Sequence, residues 1–588
     1  MSLFADLYVG TSGLQGSQEA LNVTAHNITN TDTTGYVRQQ VSYGTREYNR
    51  ISMSQTGVAM KQTGLGVYIS EVRQVRDQFV DASFRREEGR RGFYDASYAA
   101  IEEIEEVFGE LDGANFYESM NNMWTAIEEL VKDPSSEVCQ SMFVQYAQSF
   151  CEAAGNVYKD LSDYQDKLNV TVKNDVDRIN EIGHKIYELN NSIRTIEAGK
   201  VEHANDLKDQ RNQLLDELAK LANITYDTDY YGNVLVKLEQ HDFVQMNRVN
   251  EMAYTVDESG FYSVFWPDSA KFTRAENGDK IYDATTAPVY NFDTPISSAI
   301  DTDLGELKSV LLARGDHRAN WTDLLNEDDY DDIKESVMMN VMSEFDALVH
   351  NVVTAVNDVL ASNSELSSNY LVDEDGNPLQ LFHRIGCADT NVPEFISGTD
   401  ISDAGVGTTT TKYSKSYKDG FCYVTDATGK ELGIYTKNSN GDYLAESGMW
   451  FSAANIVVNQ DLLQYPTHLG FIKEDGNVDY KTVTMLEDAF NVKKYTLNPT
   501  LTNPLSLTEY YANLVGQIAN SGNVYKQLKE NQDLTVENIE ATRQGQIGVS
   551  TDEELANMIR FQNAYNAASR FINVIDECTE HIINTMAR

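Results

Sequence analysis

Proline is almost absent from both ends of this chain. Of nine prolines in 588 residues, eight lie between residues 267 and 504, and the ninth is Pro134. Proline lacks a backbone N–H and breaks helix interiors, so its absence permits long helices at both ends. The proline-containing centre is rich in Gly, Thr and Tyr, which is typical of strands and turns. The distribution therefore predicts helical ends around β-rich insertions.

Each end carries one apolar stripe at helical spacing. Near the amino terminus Leu7, Leu14, Leu21 and Ile28 recur every seventh residue, which predicts a narrow seam for another helix. At the carboxyl terminus the stripe steps by three and four residues through Leu555, Met558, Gln562, Tyr565, Ala568, Ile572, Ile575, Thr579, Ile582 and Met586. Since each stripe needs a partner, we expect the two terminal helices to bury their stripes against each other.

Three further helical regions follow from the same periodicity. A long stripe between residues 161 and 196 breaks at Ala198-Gly199 and resumes between 207 and 221, which predicts an antiparallel helical hairpin. Residues 333–360 and 506–540 also show helical spacing.

A chain of this length exceeds one hydrophobic core, so we predict several domains. The predicted class is an elongated α+β protein, with paired amino- and carboxyl-terminal helices forming a coiled-coil-like bundle and β-rich domains inserted in the middle. Its predicted domains are a terminal helical assembly domain (residues 1–60 with 541–588), a helical bundle domain (61–225 with 301–365 and 505–540), a β-rich segment (226–300) and a β-rich variable outer domain (366–504).

Composition excludes several partners. With 46 basic against 91 acidic residues the net charge is −45, which repels nucleic acid and anionic lipid. No stretch approaches the roughly 20 apolar residues that cross a bilayer. Five scattered cysteines make no disulfide framework, and the beginning MSLFADLYVG does not resemble a Sec signal peptide. We expect no nucleic-acid or membrane partner.

Signals of catalysis or metal binding are missing. The nine histidines form no HExxH motif, and the sequence contains no GxSxG and no GxxxxGK[ST]. Residues 373–377 (DEDGN) look like part of a calcium loop, but their glycine comes too early, so a hairpin turn is the preferred interpretation. The acidic run at 327–332 is interpreted as a solvated face before a helix. We therefore predict no enzyme activity, no catalytic residue, no cofactor and no metal site.

A polar segment directly follows the first apolar stripe. Residues 25–39 read AHNITNTDTTGYVRQ, which resembles the signature A-N-N-[IL]-A-N followed by T-x-G-Y of flagellar rod, hook and hook-associated proteins. His26 and Thr29 depart from that signature. The pair Arg38-Gln39 is most similar to the hook-associated protein 1 family.

Two further segments resemble the same family. Residues 548–557 (GVSTDEELAN) are similar to its G-V-[NS]-x-D-E-E motif, and residues 561–568 (FQNAYNAA) to the x-Q-x-A-Y-x-A-[AS] helix of axial flagellar proteins. Residues 204–214 (ANDLKDQRNQL) resemble A-N-D-L-x-D-Q-R-D-x-L. The three segments occur in the family's order.

The resemblance implies a non-enzymatic structural subunit that joins hook to filament, assembles through its terminal helices and is needed for filament assembly. It implies secretion through the flagellar type III apparatus to an extracellular place at the hook–filament junction. Implied partners are copies of itself, the hook protein, the second junction protein, flagellin, and an export chaperone at the carboxyl-terminal helix.

Candidate assembly residues follow from the stripes and the motifs. Arg38 can hold a carboxylate bidentately, and acids at the start of the last helix suit its dipole. Two interpretations stay open: these residues cap helices within one subunit, or they contact a neighbouring subunit. The amino-terminal candidates are Leu7, Leu14, Leu21, Asn27, Ile28, Asn30, Gly35, Tyr36, Arg38 and Gln39; the carboxyl-terminal candidates, which include the chaperone site, are Asp552, Glu553, Glu554, Leu555, Gln562, Tyr565, Ile572, Ile575 and Ile582.

Two alternative functions remain at this stage. One is another axial flagellar protein, such as a hook or distal-rod subunit. The other is a junction protein whose β insertion adds an adhesin or an enzyme, for example a sugar-binding surface of exposed tyrosines and Trp450. Enzymatic insertions in flagellar subunits carry a metal-binding motif that this sequence lacks.

Overall fold

The structure is a computed structural model. It describes residues 3–33, 35–46, 49–53, 60–109, 116–199, 203–257, 259–275, 279–292, 294–364, 380–385, 393–397, 400–403, 412–418, 421–426, 431–437, 443–445, 450–472 and 476–586. The candidate calcium-like string at 373–377 lies outside the described residues.

Helices dominate the described chain. Their bounds are α1 Leu3–Thr29, α2 Gln78–Phe108, α3 Phe116–Lys132, α4 Glu137–Glu197, α5 Asn205–Leu221, α6 Glu306–Arg314, α7 Glu327–Ile333, α8 Val337–Ser364, α9 Gln460–Gln464, α10 Tyr480–Asn491, α11 Leu507–Ile547 and α12 Thr551–Met586. The strands are β1 Gln39–Thr45, β2 Asn49–Met53, β3 Met60–Thr63, β4 Val67–Gln74, β5 Ile224–Thr228, β6 Val234–Leu238, β7 His241–Val244, β8 Ala253–Val256, β9 Tyr262–Phe265, β10 Lys271–Arg274, β11 Lys280–Asp283, β12 Phe382–Arg384, β13 Phe395–Ile396, β14 Ile401–Asp403, β15 Tyr413–Lys418, β16 Phe421–Asp426, β17 Glu431–Lys437, β18 Tyr443–Ala445 and β19 Ile456–Val458.

The predicted α+β class with paired terminal helices is confirmed. Helix α1 packs along α12, and strands are inserted between the helical ends. The long helix α4 has 61 residues, so it spans about 90 Å and sets the length of the helical body. It packs against α5 as the second arm of the predicted helical hairpin.

The strands between residues 39 and 74 were not predicted. Strand β1 pairs antiparallel with β4, and β2 with β3. The sequence of β1, QQVSYGT, carries few apolar residues, so its period of two is hidden. Tertiary contact supplies the missing stabilisation, because Tyr43 of β1 donates its hydroxyl to the carbonyl oxygen of Gly16 in α1 at 3.0 Å.

One hydrophobic core runs through most of the body. It joins α2, α3, α4, α8, α10 and α11, and it includes Val236, Phe243 and Trp266 from the strand region at 226–300. Those strands form small sheets, β5-β6-β7 and β8-β9, whose apolar faces need a helical cover. The region therefore shares the core of the helical bundle and has none of its own.

The outer β unit is smaller than the predicted range 366–504. Its sheet has the order β13-β18-β17-β16-β15-β14, with β14 parallel to β15 and the other pairs antiparallel. A separate small core fills it, with Val424, Tyr435 and Tyr443 buried. Helix α10 falls within the same predicted range but packs Phe490 into the main core, because its apolar face matches α3 and α8.

Helices α2 and α5 approach each other closely at a glycine. A Cβ atom on Gly89 would lie 2.7 Å from the carbonyl oxygen of Ala219. Backbone atoms cannot move aside as a flexible side chain can, so only glycine fits there. The contact fixes α5 against α2, and through α5 it fixes the segment that reaches the chain ends.

We predict opposite effects for two glycine-to-alanine changes. Gly89→Ala should lower the unfolding free energy by about 2 kcal/mol, since overpacking outweighs the gain in helix propensity. Gly516→Ala in α11 meets nothing within 4 Å and should raise stability by about 0.5–1 kcal/mol. Urea unfolding of the two purified variants measures both; equal effects would contradict the close approach.

Candidate assembly site at the joined chain ends

Helices α1 and α12 meet through small residues. A Cβ on Gly10 would lie 2.8 Å from Cγ1 of Ile572, and one on Gly13 would lie 3.8 Å from Cβ of Ala568. Ala20 and Thr24 of α1 are buried as well. The glycines lower helix propensity, but they allow the two helices to approach.

The leucine stripe of α1 lies beside this contact, not in its centre. Leu7 is 37% exposed, and Leu14, Leu21 and Ile28 are half-buried. On α12, Ile575 is buried, Tyr565 and Ile572 are half-buried, and Leu555, Gln562 and Ile582 are exposed. The expectation that the two stripes bury each other is thus wrong for much of their length, since small residues bring the helices too close for leucines between them.

Asn27, at the end of α1, is buried and makes four hydrogen bonds. Its Nδ2 donates to the carbonyl oxygen of Gln39 at 2.9 Å and to Glu554 Oε2 at 3.1 Å. Its Oδ1 accepts from the Tyr36 hydroxyl at 2.8 Å and from the Gln39 backbone N–H at 3.0 Å. One amide therefore holds the turn after α1 and the first turn of α12.

Arg38 is the second connection between the chain ends. Its Nε donates to Glu554 Oε1 at 2.8 Å, and its NH1 donates to Glu553 Oε2 at 3.0 Å. Its backbone N–H donates to the carbonyl oxygen of Ile547, at the end of α11, at 2.9 Å. The carboxylates stand in the first turn of α12, where the helix dipole favours negative charge.

A third segment, in α5, completes the network. Asp209 accepts from the Val37 backbone N–H at 3.3 Å and from Gln74 Nε2 at 2.7 Å. Gln39 Nε2 donates to Asp206 Oδ1 at 3.2 Å. The three motif segments 25–39, 204–214 and 548–557 thus meet at one place. Sequence reasoning quoted the middle motif but gave Asp206, Asp209 and Gln74 no role.

Burial changes the proton affinity of two groups in this network. Desolvation raises the pKa of Asp209 from 3.8 to about 7, against the hydrogen bonds from Val37 and Gln74, which lower it. Desolvation also raises the pKa of Tyr36, helped by the negative charges of Asp206, Asp209 and Glu554. The exclusion of water near the Arg38–Glu554 pair therefore favours the neutral forms of Asp209 and Tyr36.

The other candidates have local roles or lie on the surface. Asn30 Nδ2 donates to the carbonyl oxygen of His26 at 2.9 Å, within the same turn. Gly35 has φ of 77°, a left-handed conformation that favours glycine, and a Cβ there would collide with the Gln213 side chain. Asp552 is exposed. In the described chain the polar candidates thus largely make contacts within one subunit.

Comparisons with known proteins match these same regions. Residues 101–372 match the helical domain of the flagellar hook-associated protein FlgK, residues 7–36 the flagella basal body rod protein model, and residues 545–585 the carboxyl-terminal model of flagellar basal body rod FlgEFG proteins. Flagellar hook-associated protein 1 of Bacillus subtilis is 25% identical, with 100% of this chain and 99% of the relative covered. Over its whole length the chain is similar to flagellar hook-associated protein 1.

Two further comparisons agree with this assignment. Flagellar hook-associated protein 1 of Escherichia coli is 22% identical over 97% of this chain and 98% of its own length. The solved structure of the flagellar hook junction protein FlgK from Burkholderia pseudomallei has 15% identity and a TM-score of 0.51, covering 79% of this chain and 99% of that chain. At that identity the structural likeness concerns the fold alone.

Other functional signals are absent from the described residues. In that part of the chain no helix is both long and apolar enough to cross a membrane, and no three His, Cys, Asp or Glu side chains gather where they could hold a metal ion. Trp450, a candidate sugar contact, is half-buried and packs edge-on against Trp321 of the helical body, with ring centroids 6.1 Å apart.

Asn27→Ala should loosen both chain ends, whereas Asn30→Ala should not. The first change removes all four hydrogen bonds that the amide makes to the buried Glu554 Oε2, the Tyr36 hydroxyl and the Gln39 backbone, which costs about 2–3 kcal/mol. The second removes two exposed hydrogen bonds, one to the His26 carbonyl oxygen and one from the Thr33 hydroxyl, with an effect below about 0.5 kcal/mol. Hydrogen exchange across α1 and α12 should become faster by roughly 30-fold or more in Asn27→Ala only. Equal exchange in both variants would contradict the central role of Asn27.

Asp209 should make the joined ends sensitive to pH. Because its folded pKa of about 7 exceeds the ordinary value of 3.8, its stabilising contribution is complete below 3.8 and is lost as the pH rises through 7. Wild-type unfolding free energy, measured relative to Asp209→Asn, should therefore fall between about pH 4 and about pH 7 and stay level at higher pH. Subtracting the value for Asp209→Asn cancels the contributions of all other titrating groups. Parallel pH profiles of the two proteins would show that Asp209 is not desolvated.

Proposed function

We propose that this protein is a structural subunit that joins the hook to the filament of the bacterial flagellum. The observation that carries the proposal is the joined pair of terminal helices, held by a polar network inside and lined by apolar side chains outside. A subunit of this form binds its neighbours through the outer faces of the pair.

Helix α12 presents the larger of these apolar faces. Phe571, Val574, Ile582, Leu555 and Ile559 are all exposed. With 3.6 residues per turn, the first three fall on one side of the face that contacts α1 and the last two fall on the other. Exposed apolar rows of this length mark interaction surfaces in soluble proteins. Their place on both sides of a closed helix pair supports neighbours on more than one side, as a tube of subunits requires.

The partners that fit this surface are axial flagellar proteins. We assign contacts with further copies of the chain, with the hook protein, with the second junction protein and with flagellin. The same exposed row on α12 suits an export chaperone before assembly, because a bound chaperone keeps the helix from associating early. Secretion through the flagellar type III apparatus, to an extracellular place at the junction, belongs to this proposal.

The alternatives are less well supported. The rod-protein matches at both ends are compatible with a hook or distal-rod subunit, but the match over residues 101–372 is to the hook-associated helical domain. A non-enzymatic role fits the names of the relatives. An adhesin in the outer β unit gains nothing from Trp450, which packs against the helical body.

A pair of matched variants tests the proposal. Val574→Asp in α12 and Leu534→Asp in α11 replace apolar side chains that are 55% and 58% exposed, so each should change monomer stability by less than about 0.5 kcal/mol. In a strain lacking the gene, we expect the wild-type gene and Leu534→Asp to restore filaments. We expect Val574→Asp to leave bare hooks, because a buried unpaired carboxylate costs several kcal/mol in the assembly. Electron microscopy of the cells scores the outcome.

Two results would contradict the proposal. Normal filaments in the deletion strain would exclude a junction role. Normal filaments with Val574→Asp would exclude the exposed row of α12 as an assembly surface.

A further inference from the structure

A basic groove lies in the body of this acidic protein. It has a volume of about 1180 Å³ and is formed by α2, α5, the end of β4 and the strands β5 and β6. Acids outnumber bases two to one in the whole chain, yet the groove reverses that balance, with three aspartates against six bases. The bases are Arg73, Arg76, Arg85, Arg86, Lys208 and Arg211.

Part of this positive charge is not neutralised within the subunit. Arg73 is exposed, and no acidic side chain in the described part of the chain pairs with it. Arg86 is 53% exposed, and among the described residues it pairs only with the adjacent Glu87. Arg211 is buried in the groove wall, and its Nε has no hydrogen-bond partner among the described residues. The exposed ring of Phe79 also lines the groove, so an acidic ligand with an apolar residue fits it best.

The chain itself carries a segment of that chemistry. Helix α7 exposes Glu327, Asp328, Asp331 and Asp332, while Tyr330 and Ile333 anchor it in the body. Leu325, directly before the helix, is also exposed. Its seven residues make a rod of about 10 Å.

A subunit cannot place α7 in its own groove. Arg211 in the groove wall donates to Asn190 of α4, whereas Arg318, in the segment leading to α7, pairs with Asp166 of α4. These two positions on one continuous helix are about 36 Å apart. The acidic helix and the basic groove therefore lie at different levels of the body, and both are anchored in it.

We propose that α7 of one subunit binds in the basic groove of the next. The contact rests on the proposed function, since it is a contact between assembled junction subunits. It joins two different surfaces, which is the head-to-tail geometry that generates rings and helical tubes. Its charges also choose the partner, because the acidic remainder of the surface repels another copy in any other orientation.

Charge reversal and its compensation test the contact. The groove variant is Arg73→Glu with Arg86→Glu, the helix variant is Asp328→Lys with Asp332→Lys, and the third strain carries all four changes. All four side chains are exposed. Among the described residues, Arg86 pairs with Glu87, and the other three form no ion pair. The matched control is Glu530→Lys with Glu537→Lys, which makes the same charge change on the exposed face of α11.

We expect each of the first two variants to reduce the fraction of hooks with filaments at least tenfold. The variant with all four changes should return the fraction of hooks with filaments to within about twofold of wild type. The control pair should not rescue the groove variant. In isolated junctions whose exposed Cys578 is replaced by serine, Arg86→Cys together with Asp332→Cys should give an oxidation-dependent ladder of cross-linked subunits. Chains that carry only one of these two added cysteines should not give the ladder.

Wild-type filament numbers in the groove and helix variants would overturn the contact, and so would failure of the fourfold variant to recover. A cross-link from Arg86→Cys to hook protein or flagellin in place of another copy would also overturn it. In each of these cases the deletion strain would still lack filaments, so the outcome would contradict the contact between α7 and the groove but not the junction function.

Discussion

The hydrogen bond between Asn27 and Glu554 joins groups that are 527 residues apart in the chain. Both side chains are buried, so a charged carboxylate there needs partners that replace water. Asn27 and Arg38 supply these hydrogen bonds. Asp209 of α5 holds the segment between them by accepting from the Val37 backbone N–H. The position of α1 and α12 relative to the body depends on this arrangement, because no other polar contact of comparable burial ties α12 to the rest of the described chain.

Chain closure uses one set of side chains on α1 and α12, and the assembly that we propose uses another. Gly10, Gly13 and Ala20 bring α1 close to α12, which forces larger apolar groups to the flanks. Leucines and isoleucines that a free coiled coil would bury are thus presented outward. A helix pair that closes through small residues can therefore stay folded alone and still carry apolar surface for its neighbours.

Electrostatics gives this assembly a direction. A net charge of −45 keeps free subunits apart, since like charges repel at any distance below the screening length. The basic groove is a local exception that accepts one acidic element of the next subunit. In the proposed assembly, apolar contact at the terminal helices supplies affinity, and the charge pattern of the body selects orientation.

The sequence by itself determined the helical ends, the inserted strands and the resemblance to hook-associated protein 1. These follow from local chemistry: proline excludes helix, apolar spacing selects it, and short motifs are visible without a structure. It also named Asn27, Tyr36 and Arg38 among the amino-terminal candidates, and Glu553 and Glu554 among the carboxyl-terminal ones.

Only the tertiary structure decided what those residues touch. Asp209 and Gln74 lie far from Asn27 in the chain, so their roles depend on how α5 and β4 are packed. The leucine stripe reads as a helix–helix seam, but the closest approach is made by glycines, whose contribution is space and not a side chain. The strands from 39 to 74 are stabilised by α1 and not by their own composition. In each case the deciding quantity is a distance between residues remote in sequence, and local pattern carries no information on it.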